Sequence, residues 1–495
     1  MAEPNGTLVW FRRDLRLGDH EALSAACARR EPVIPVFVLD PVLEDMGGAA
    51  AQWRWSIGLD RLSQSLRAAG SRLIIRRGEA LETLKKLAAE TGARRIHWSR
   101  LYDPESIERD TAVKSGLKAA GLEAESFEGH LLHEPFKLKT KTGGYFKVYT
   151  PFWRACLAAN APEQPLPAPA KIPAPETWPA SDTVESLGLE RAMNRGAAVV
   201  KDFARVGETA ARDRLDAFID ASVASYHDDR DRTDRDGTSK LSENLALGEL
   251  SPRAAWHAAE AAAARDPKAA AGAEVFRKEL VWRDFAWHLL YHTPHIATQN
   301  WRDQWDAFPW RADNDDAEAW RRGRTGQPFI DAAMRELYVT GTMHNRTRML
   351  TASFLTKHLM TDWRVGEAWF RDCLIDWDPA SNAMGWQWAA GSGPDAAPFF
   401  RIFNPETQSA KFDPAGDYVN RWLPEYAASD LSRSAHHDGL KFFDACPRSW
   451  SMSSQDAYPD LIISLASGRQ RALNAYADIA KQSPSKPIVS KEIIS

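Results

Sequence analysis

The run Trp386-Gln387-Trp388-Ala389-Ala390-Gly391-Ser392-Gly393-Pro394-Asp395-Ala396-Ala397-Pro398-Phe399-Phe400-Arg401-Ile402-Phe403-Asn404-Pro405 sets two indoles around one amide. A small-residue turn follows, then an aromatic-arginine stretch. Tryptophans two residues apart present their rings on different sides of a turn or helix, so one can face a cofactor and the other a planar ligand. The plain alternative is a packed aromatic core, because tryptophan is usually mostly buried. Directly upstream, Asp376-Trp377-Asp378-Pro379-Ala380-Ser381-Asn382 supplies two acids and an amide that can hydrogen-bond the edge of a heterocycle. Arg348 can pair with one of the acids. Asp, Pro and Ser at that spacing also make an ordinary turn.

Three further constellations carry chemistry. Gly237-Thr238-Ser239-Lys240-Leu241-Ser242 lines up hydroxyls and backbone amides as a phosphate cradle at a helix start, or as a plain N-cap. The adjacent Asp234-Arg235-Asp236-Gly237 with Glu243 imitates a calcium loop, but Arg232 occupies the first ligand position and defeats it. Glu279, Trp282 and Arg283 share one helical face, suited to clamping a flat, hydrogen-bonding ligand such as a base. The alternative is an intrahelical Glu-Arg pair worth about a few tenths of a kcal/mol. In Met343-His344-Asn345-Arg346-Thr347-Arg348-Met349, one face carries Asn345, Arg348 and Met349, with Arg346 at its edge. The arginines offer forks for phosphate or carboxylate, or form a solvated charged face.

The elements that must position these residues divide the chain in two. Thr7 to Phe11, Val33 to Leu39, Arg72 to Ile75 and Arg95 to Trp98 are short β-branched and aromatic runs, separated by helical stretches such as 51–69 and 79–91. This rhythm predicts a doubly wound parallel sheet in an α/β N-terminal domain. Arg12-Arg13-Asp14-Leu15-Arg16-Leu17 follows the first strand, where a dinucleotide fingerprint would need G-x-G-x-x-G, so a dinucleotide must bind elsewhere. Residues 157–182 are proline-rich and read as an extended linker. Beyond it, amphipathic patterns over 190–225, 251–265, 273–292, 329–338, 342–360 and 363–374 predict a helical domain. The divisions expected are 1–135, 136–205, 206–482 and a tail, 483–495.

Composition bounds the function. A chain of 495 residues exceeds a single core. No apolar run approaches a membrane span, and the start lacks a signal-peptide pattern. The four cysteines form no CxxC or Cys/His cluster, so no metal site or disulfide framework is expected and a cytoplasmic setting fits. A formal charge of −4 gives no global attraction to nucleic acid, so DNA binding would need a local basic face. Twenty tryptophans is roughly three times ordinary usage.

Taken together and in order, these pieces resemble the photolyase/cryptochrome family, from Val9-Trp10-Phe11-Arg12-Arg13-Asp14-Leu15-Arg16 to Trp422-Leu423-Pro424-Glu425. Gly326-Gln327-Pro328-Phe329-Ile330-Asp331-Ala332-Ala333-Met334, Asn345 to Met349 and Gly385 to Pro405 are near-verbatim family motifs. The chain looks most like the class I photolyases that split cyclobutane pyrimidine dimers, and the related class III group shares these motifs. The resemblance implies FAD, with Tyr226 and Thr238, Ser239, Lys240, Leu241 and Ser242 on its ribityl-pyrophosphate. Arg283 joins the cofactor set. Asn345, Arg348, Asp376 and Asp378 would surround the isoalloxazine and adenine, with Arg348 paired to Asp376. Asn382 would face flavin N5, where an amide can donate or accept. Glu279, Trp282, Asn345, Arg346, Met349 and Trp388 would line the dimer pocket, and Trp386, Trp363 and Trp310 match an electron relay. Glu279 would stabilise negative charge on the dimer. Arg230, Arg346 and Arg401 would take phosphates of DNA containing pyrimidine dimers, bound by a monomer.

Other members of the family set alternatives. A (6-4) photolyase would carry histidines where Asn345 and Met349 stand. A cryptochrome photoreceptor typically has a long regulatory tail, and an Asp or Cys at position 382. The family's antenna chromophore is often a folate. Folate-binding members carry an Asn-Glu pair where Ile107-Glu108 stands within Glu105-Ser106-Ile107-Glu108-Arg109. A folate-type or deazaflavin-type antenna both stay open.

Overall fold

Leu8 and Trp10 point to one side of the first strand and Val9 and Phe11 to the other, and all four are buried. A strand apolar on both faces must lie inside a sheet covered on both sides. The computed structural model describes residues 6–396, 398, 399, 401–427 and 438–482; the expected tail, 483–495, lies outside them. Five strands, β1 (Thr7–Phe11), β2 (Val33–Leu39), β3 (Ile74–Arg77), β4 (Arg95–Ser99) and β5 (Glu123–Phe127), form a parallel sheet ordered β3-β2-β1-β4-β5. Thr7 sits opposite Val33 on one side and Arg95 on the other. Val9 and Phe11 pack under the helices Glu21–Ala28 and Ala49–Ala68. Leu8 and Trp10 pack under Ala80–Thr91 and Pro104–Ala119.

β5 is a strand that the sequence analysis does not anticipate. It reads Glu-Ala-Glu-Ser-Phe, with only Ala124 fully buried, which suits an edge, where charged side chains discourage further pairing. The proline-rich segment has no regular structure, yet it is laid along the α/β domain. Asp19 and Leu166 exchange hydrogen bonds through Leu166 O and Asp19 Oδ1, Val33 N donates to Pro173 O, and Asp182 N donates to Ile75 O. Ile172 is buried. These contacts occupy backbone groups on β2 and β3 that would otherwise stay open.

The remainder is helical, but two expected helices are interrupted. Residues 190–225 divide into Arg191–Met193, Gly196–Val200 and Glu208–Ala221, with Gly207 left-handed at φ 95° before the last. Residues 342–360 begin as a helix only at Asn345, where His344 caps Arg346 N, and pass at Phe354–His358 into a π turn closed by Leu359 N donating to Phe354 O. The centre of the domain is the helix Pro379–Ala390. It packs between Ala270–His292 on one side and Asn345–Ser353 and Trp363–Cys373 on the other.

One buried cation fastens the two halves. Arg54, from Ala49–Ala68, donates to Glu243 Oε2 at 2.9 Å and to both Glu249 oxygens at 2.9 and 2.6 Å. Asn244 Nδ2 completes Glu249 at 2.7 Å. Removing the guanidinium leaves two carboxylates buried with reduced compensation, which costs about 3–5 kcal/mol. Arg54→Ala is therefore expected to lower the urea midpoint by the equivalent of that loss, and a midpoint unchanged from wild type would show the clamp to be dispensable.

Candidate functional site

Asp376, Asp378, Asn382, Trp386 and Trp388 lie within fifteen residues, and the helix Pro379–Ala390 sorts them by direction. Asp378 caps it, accepting from Ser381 N at 2.8 Å, and Pro379 fits the first turn, where no backbone donor is needed. The other Asp378 oxygen accepts from Trp287 Nε1 at 3.1 Å and faces Arg13 Nη2 at 3.4 Å. Both oxygens therefore already hold protein donors. Asp376 differs. Its Oδ2 pairs with Arg348 Nη2 at 2.6 Å, whereas its buried Oδ1 has no partner. Arg348 is held in turn by Met343 O at 2.8 Å.

Four residues beyond Asp378, Asn382 is buried and its Nδ2 donates to Glu367 Oε1 at 2.9 Å and Glu367 O at 3.3 Å. Burial raises the Glu367 carboxyl above its usual range. Glu367, unmarked in the sequence, thus fixes which end of the Asn382 amide points away. Both neighbours accept, so Nδ2 must face them and Oδ1 is left outward.

The two indoles separate as their spacing demands. Trp386 is buried, edge-on to Phe370 at 4.9 Å and to Trp320 at 6.1 Å, and its Nε1 has no partner. Gly366 makes room for it. A Cβ there would stand 2.1 Å from the Trp386 ring. Trp388 is half-buried, packed at the margin of the same cluster. Between them Gln387 is fully buried and uses every lone pair and proton. Its Oε1 accepts from Trp301 N at 2.9 Å and Ser392 Oγ at 3.1 Å, and its Nε2 donates to Ile296 O and Gln299 O, both at 2.7 Å. Trp363 is buried in the same aromatic cluster as Trp386, with Nε1 on Asn300 Oδ1 at 2.9 Å. Trp310 is half-buried against that cluster and donates to Trp305 O at 3.1 Å.

The open side gathers Glu279, Trp282, Arg230, Arg346 and Met349, all half-buried, and exposed Asn345. Arg230, expected to take phosphate, forms an ion pair with Glu279 and lies over the Tyr226 ring. A partly buried carboxylate draws in the nearest cation, so the intrahelical Glu279–Arg283 alternative is not what forms. Arg283 turns away instead, donating to His130 O at 2.8 Å and facing His130 Nε2 at 3.2 Å. Burial first, and then the Arg283 charge, push His130 well below the ordinary imidazole range, which leaves it neutral and able to accept. Arg346 pairs with Asp231 at 2.5 Å and stacks over Phe412 at 4.7 Å. Asn345 Nδ2 lies 4.0 Å from Met349 Sδ. Arg401 is exposed, with its carbonyl accepting from Lys357 Nζ at 3.0 Å. Ala397 and Phe400 of the same run lie outside the described residues.

The hydroxyl segment is not a plain cap. The short helix Ser242–Ala246 has Leu241 at its N-cap and no side-chain bond there. Thr238 and Ser239 are half-buried, and Lys240 is left-handed at φ 52° and paired with Asp236 at 2.7 Å. Gly237 passes so close to Asp229 that a Cβ would meet its backbone oxygen at 3.0 Å. Tyr226 is buried edge-on to Phe218 and Phe276. Arg232 is bound to Asp234, in keeping with the rejected calcium loop. Among the described residues, no group of His, Cys, Asp and Glu could hold a metal, and no helix is long and apolar enough to cross a membrane.

In the α/β domain, the strand order reverses between β1 and β4, where open sheets commonly bind ligands. Here Arg12 pairs with Asp110 at 3.0 Å and Arg109 with Asp40 at 3.2 Å, both guanidinium groups lying over Trp10 at 4.1 and 5.0 Å. Ile107 sits half-buried in the same helix as Arg109.

The arrangement is a parallel α/β domain followed by a helical domain with one aromatic-lined site. Residues 7–171 match the DNA photolyase family and 276–478 the FAD binding domain of DNA photolyase. The chain is 46% identical over 474 residues to a deoxyribodipyrimidine photo-lyase of Agrobacterium fabrum, covering 96% of this chain and 98% of that protein. It is 35% identical to cryptochrome-2 of Arabidopsis thaliana, over 85% of this chain and 71% of that one. The crystal structure of a bacterial class III photolyase from Agrobacterium tumefaciens superposes with a TM-score of 0.87 at 45% identity, covering 97% of this chain and 99% of that one. The chain belongs to the DNA photolyase family. FAD is its cofactor, and the residues present fit it: the unpartnered Asp376 Oδ1 and the outward Asn382 Oδ1 are free to meet a polar heterocycle.

One titration follows from how the long helix meets the connecting segment. Asp284, beside Arg283, accepts Leu132 N and His133 N, each at 2.9 Å, and burial pushes its carboxyl up to about 7. The unfolded chain loses this proton near pH 4, so between pH 4 and 7 the folded state binds more protons and stability falls as pH rises. Asp284→Asn removes that term. Relative to wild type, the variant should gain on the order of 3 kcal/mol between pH 4 and pH 8, read from urea melts. A parallel pair of stability curves would contradict the assignment.

Proposed function

We propose that the protein repairs cyclobutane pyrimidine dimers in DNA under blue light, as a class III photolyase. The observation that carries this reading is the division of one helix, Pro379–Ala390. Asn382 and Trp386 are buried on it and Trp388 is half-buried, and on this reading Trp388 would meet the lesion together with Glu279 and Trp282. The similarity to a class III photolyase over 97% of the chain supports the class.

Reduced FAD, when bound and excited, supplies an electron to the dimer and recovers it once the cyclobutane ring has split. The protein's own residues do the rest. A lesion must leave the base stack to be reached, and a fused dimer stacks and pairs poorly, so its extrusion costs less. Trp282 and Trp388 then hold it by stacking, worth about 1–3 kcal/mol per base. Glu279 holds Arg230 at the pocket, and the Arg230 cation stabilises the negative charge that the dimer acquires. Asn382, its orientation set by Glu367, would hold the flavin ring through Oδ1, and Asp376, with Arg348 behind it, would accept from a donor of the cofactor. Thr238 to Ser242 and Tyr226 hold the ribityl-pyrophosphate. Trp386, Trp363 and Trp310 carry electrons from the surface to an oxidised cofactor. Arg346 and Arg401 meet phosphates at the rim.

Blue-light treatment of dimer-containing DNA with the reduced, FAD-loaded protein should remove the dimers. Persistence of the dimers would overturn the reading. Trp386→Phe should slow photoreduction of oxidised FAD by an external thiol at least tenfold, while pre-reduced enzyme keeps its repair rate within about twofold. Loss of both activities would contradict the relay.

A further inference from the structure

Trp282 does not stand alone on its helix. The ring of Tyr149, from the helix Tyr149–Ala158 beyond the α/β domain, lies flat against it, with centroids 3.6 Å apart and planes 6° apart. Phe285 meets both rings edge-on, at 5.9 Å from Tyr149 and 5.8 Å from Trp282. The Tyr149 hydroxyl donates to Lys278 O at 2.8 Å, one turn before Trp282, so the phenol is fixed at both its ring and its tip. Its backbone N donates to Asp395 Oδ2 at 3.0 Å. Asp395 belongs to the turn that follows the helix carrying Trp388. One residue therefore contacts the helix that bears Trp282 and the turn beside Trp388.

The geometry points to Tyr149 as a positioning residue for the lesion: it covers one face of Trp282 and leaves the other as a fixed plate for a flipped pyrimidine dimer. A half-buried indole on a helix otherwise has alternative rotamers, and a plate that must be ordered on binding costs affinity. The stack removes that freedom beforehand. Burial, and next the Glu279 charge, raise the Tyr149 phenol well above its ordinary range, so it stays protonated and keeps its bond to Lys278 O. The inference rests on Trp282 lining the lesion pocket.

The test compares Tyr149→Leu, Tyr149→Phe and Trp282→Ala in the FAD-loaded protein. It reads dissociation constants for one oligonucleotide with and without a pyrimidine dimer, repair per photon at saturating lesion, and FAD content. Tyr149→Leu keeps apolar volume but not the flat stack. It should weaken lesion binding about three- to tenfold, leaving intact-DNA binding, FAD content and repair per photon at saturation unchanged. Tyr149→Phe keeps the ring and should stay within about twofold of wild type for the lesion. Lesion affinity unaltered in Tyr149→Leu, with Trp282→Ala clearly weakened, overturns the positioning role. Equal losses for intact and damaged DNA, or in Phe and Leu alike, also overturn it. If Trp282→Ala itself binds the lesion normally, the lesion-pocket reading falls and takes the inference with it.

Discussion

The site depends on one buried carboxylate. Asp378 caps the helix Pro379–Ala390, accepts from Trp287 on the long helix Ala270–His292, and faces Arg13, just after β1. Three parts of the chain, more than 360 residues apart at the extremes, meet on its two oxygens. A buried carboxylate is tolerated only when its lone pairs are filled, so the three donors are fixed together. Moving any one of them leaves a charge or a donor stranded, at a cost of about 3–5 kcal/mol for a broken buried pair. The start of the central helix, and hence the direction of every side chain along it, is set at this point.

From that start, helical geometry does the sorting. Each residue turns about 100°, so Asn382 and Trp386, four apart, share a face while Trp388 lies on another. Two further contacts hold the far end. Gly366 lets the helix Trp363–Cys373 approach the Trp386 ring, a contact that any side chain would block. Gln387 knits the helix to residues 296–301 with three hydrogen bonds and accepts a fourth from Ser392. The amide between the tryptophans is thus structural, and it lets the two rings have separate surroundings. Packing and chemistry are not rival explanations of the Trp-Gln-Trp run. One ring is core, and the core is what fixes the other.

Local pattern carried much of this into the sequence, and long-range pairing carried the rest out of sight. The parallel sheet and a pairing of Arg348 with one of the two acids were legible because periodicity and charge complementarity act over short spans or between obvious partners, while the family resemblance picked Asp376 as the acid. β5 escaped because an edge strand is half polar, and Glu123-Ala124-Glu125-Ser126 lacks the β-branched residues that mark a strand interior. The break before Glu208–Ala221 needed the left-handed Gly207, and amphipathicity runs straight across such a residue. Arg283 showed the limit of helical spacing. It shares a helix face with Glu279, yet the buried His130 claims its guanidinium, and Glu279 takes Arg230. Tyr149 and Glu367 lay outside every motif because their roles come from partners 133 and 15 residues away.

The charged groups around the open side explain how a chain with a net charge of −4 can hold a polyanion selectively. Arg230 and Arg346 each already have a carboxylate, Glu279 and Asp231, within ion-pair distance. On the proposed reading phosphate would share these arginines with their carboxylates, so each contact would release less free energy than a free arginine would give. The apolar plates carry no such competition. On the proposed reading a lesion would gain the whole of its stacking on Trp282 and Trp388, whereas an intact base must first lose its own stack and pair. Pairing the rim cations within the protein would thus shift discrimination from the phosphate backbone, which every sequence shares, to the proposed pocket, which an extruded lesion would enter at low cost.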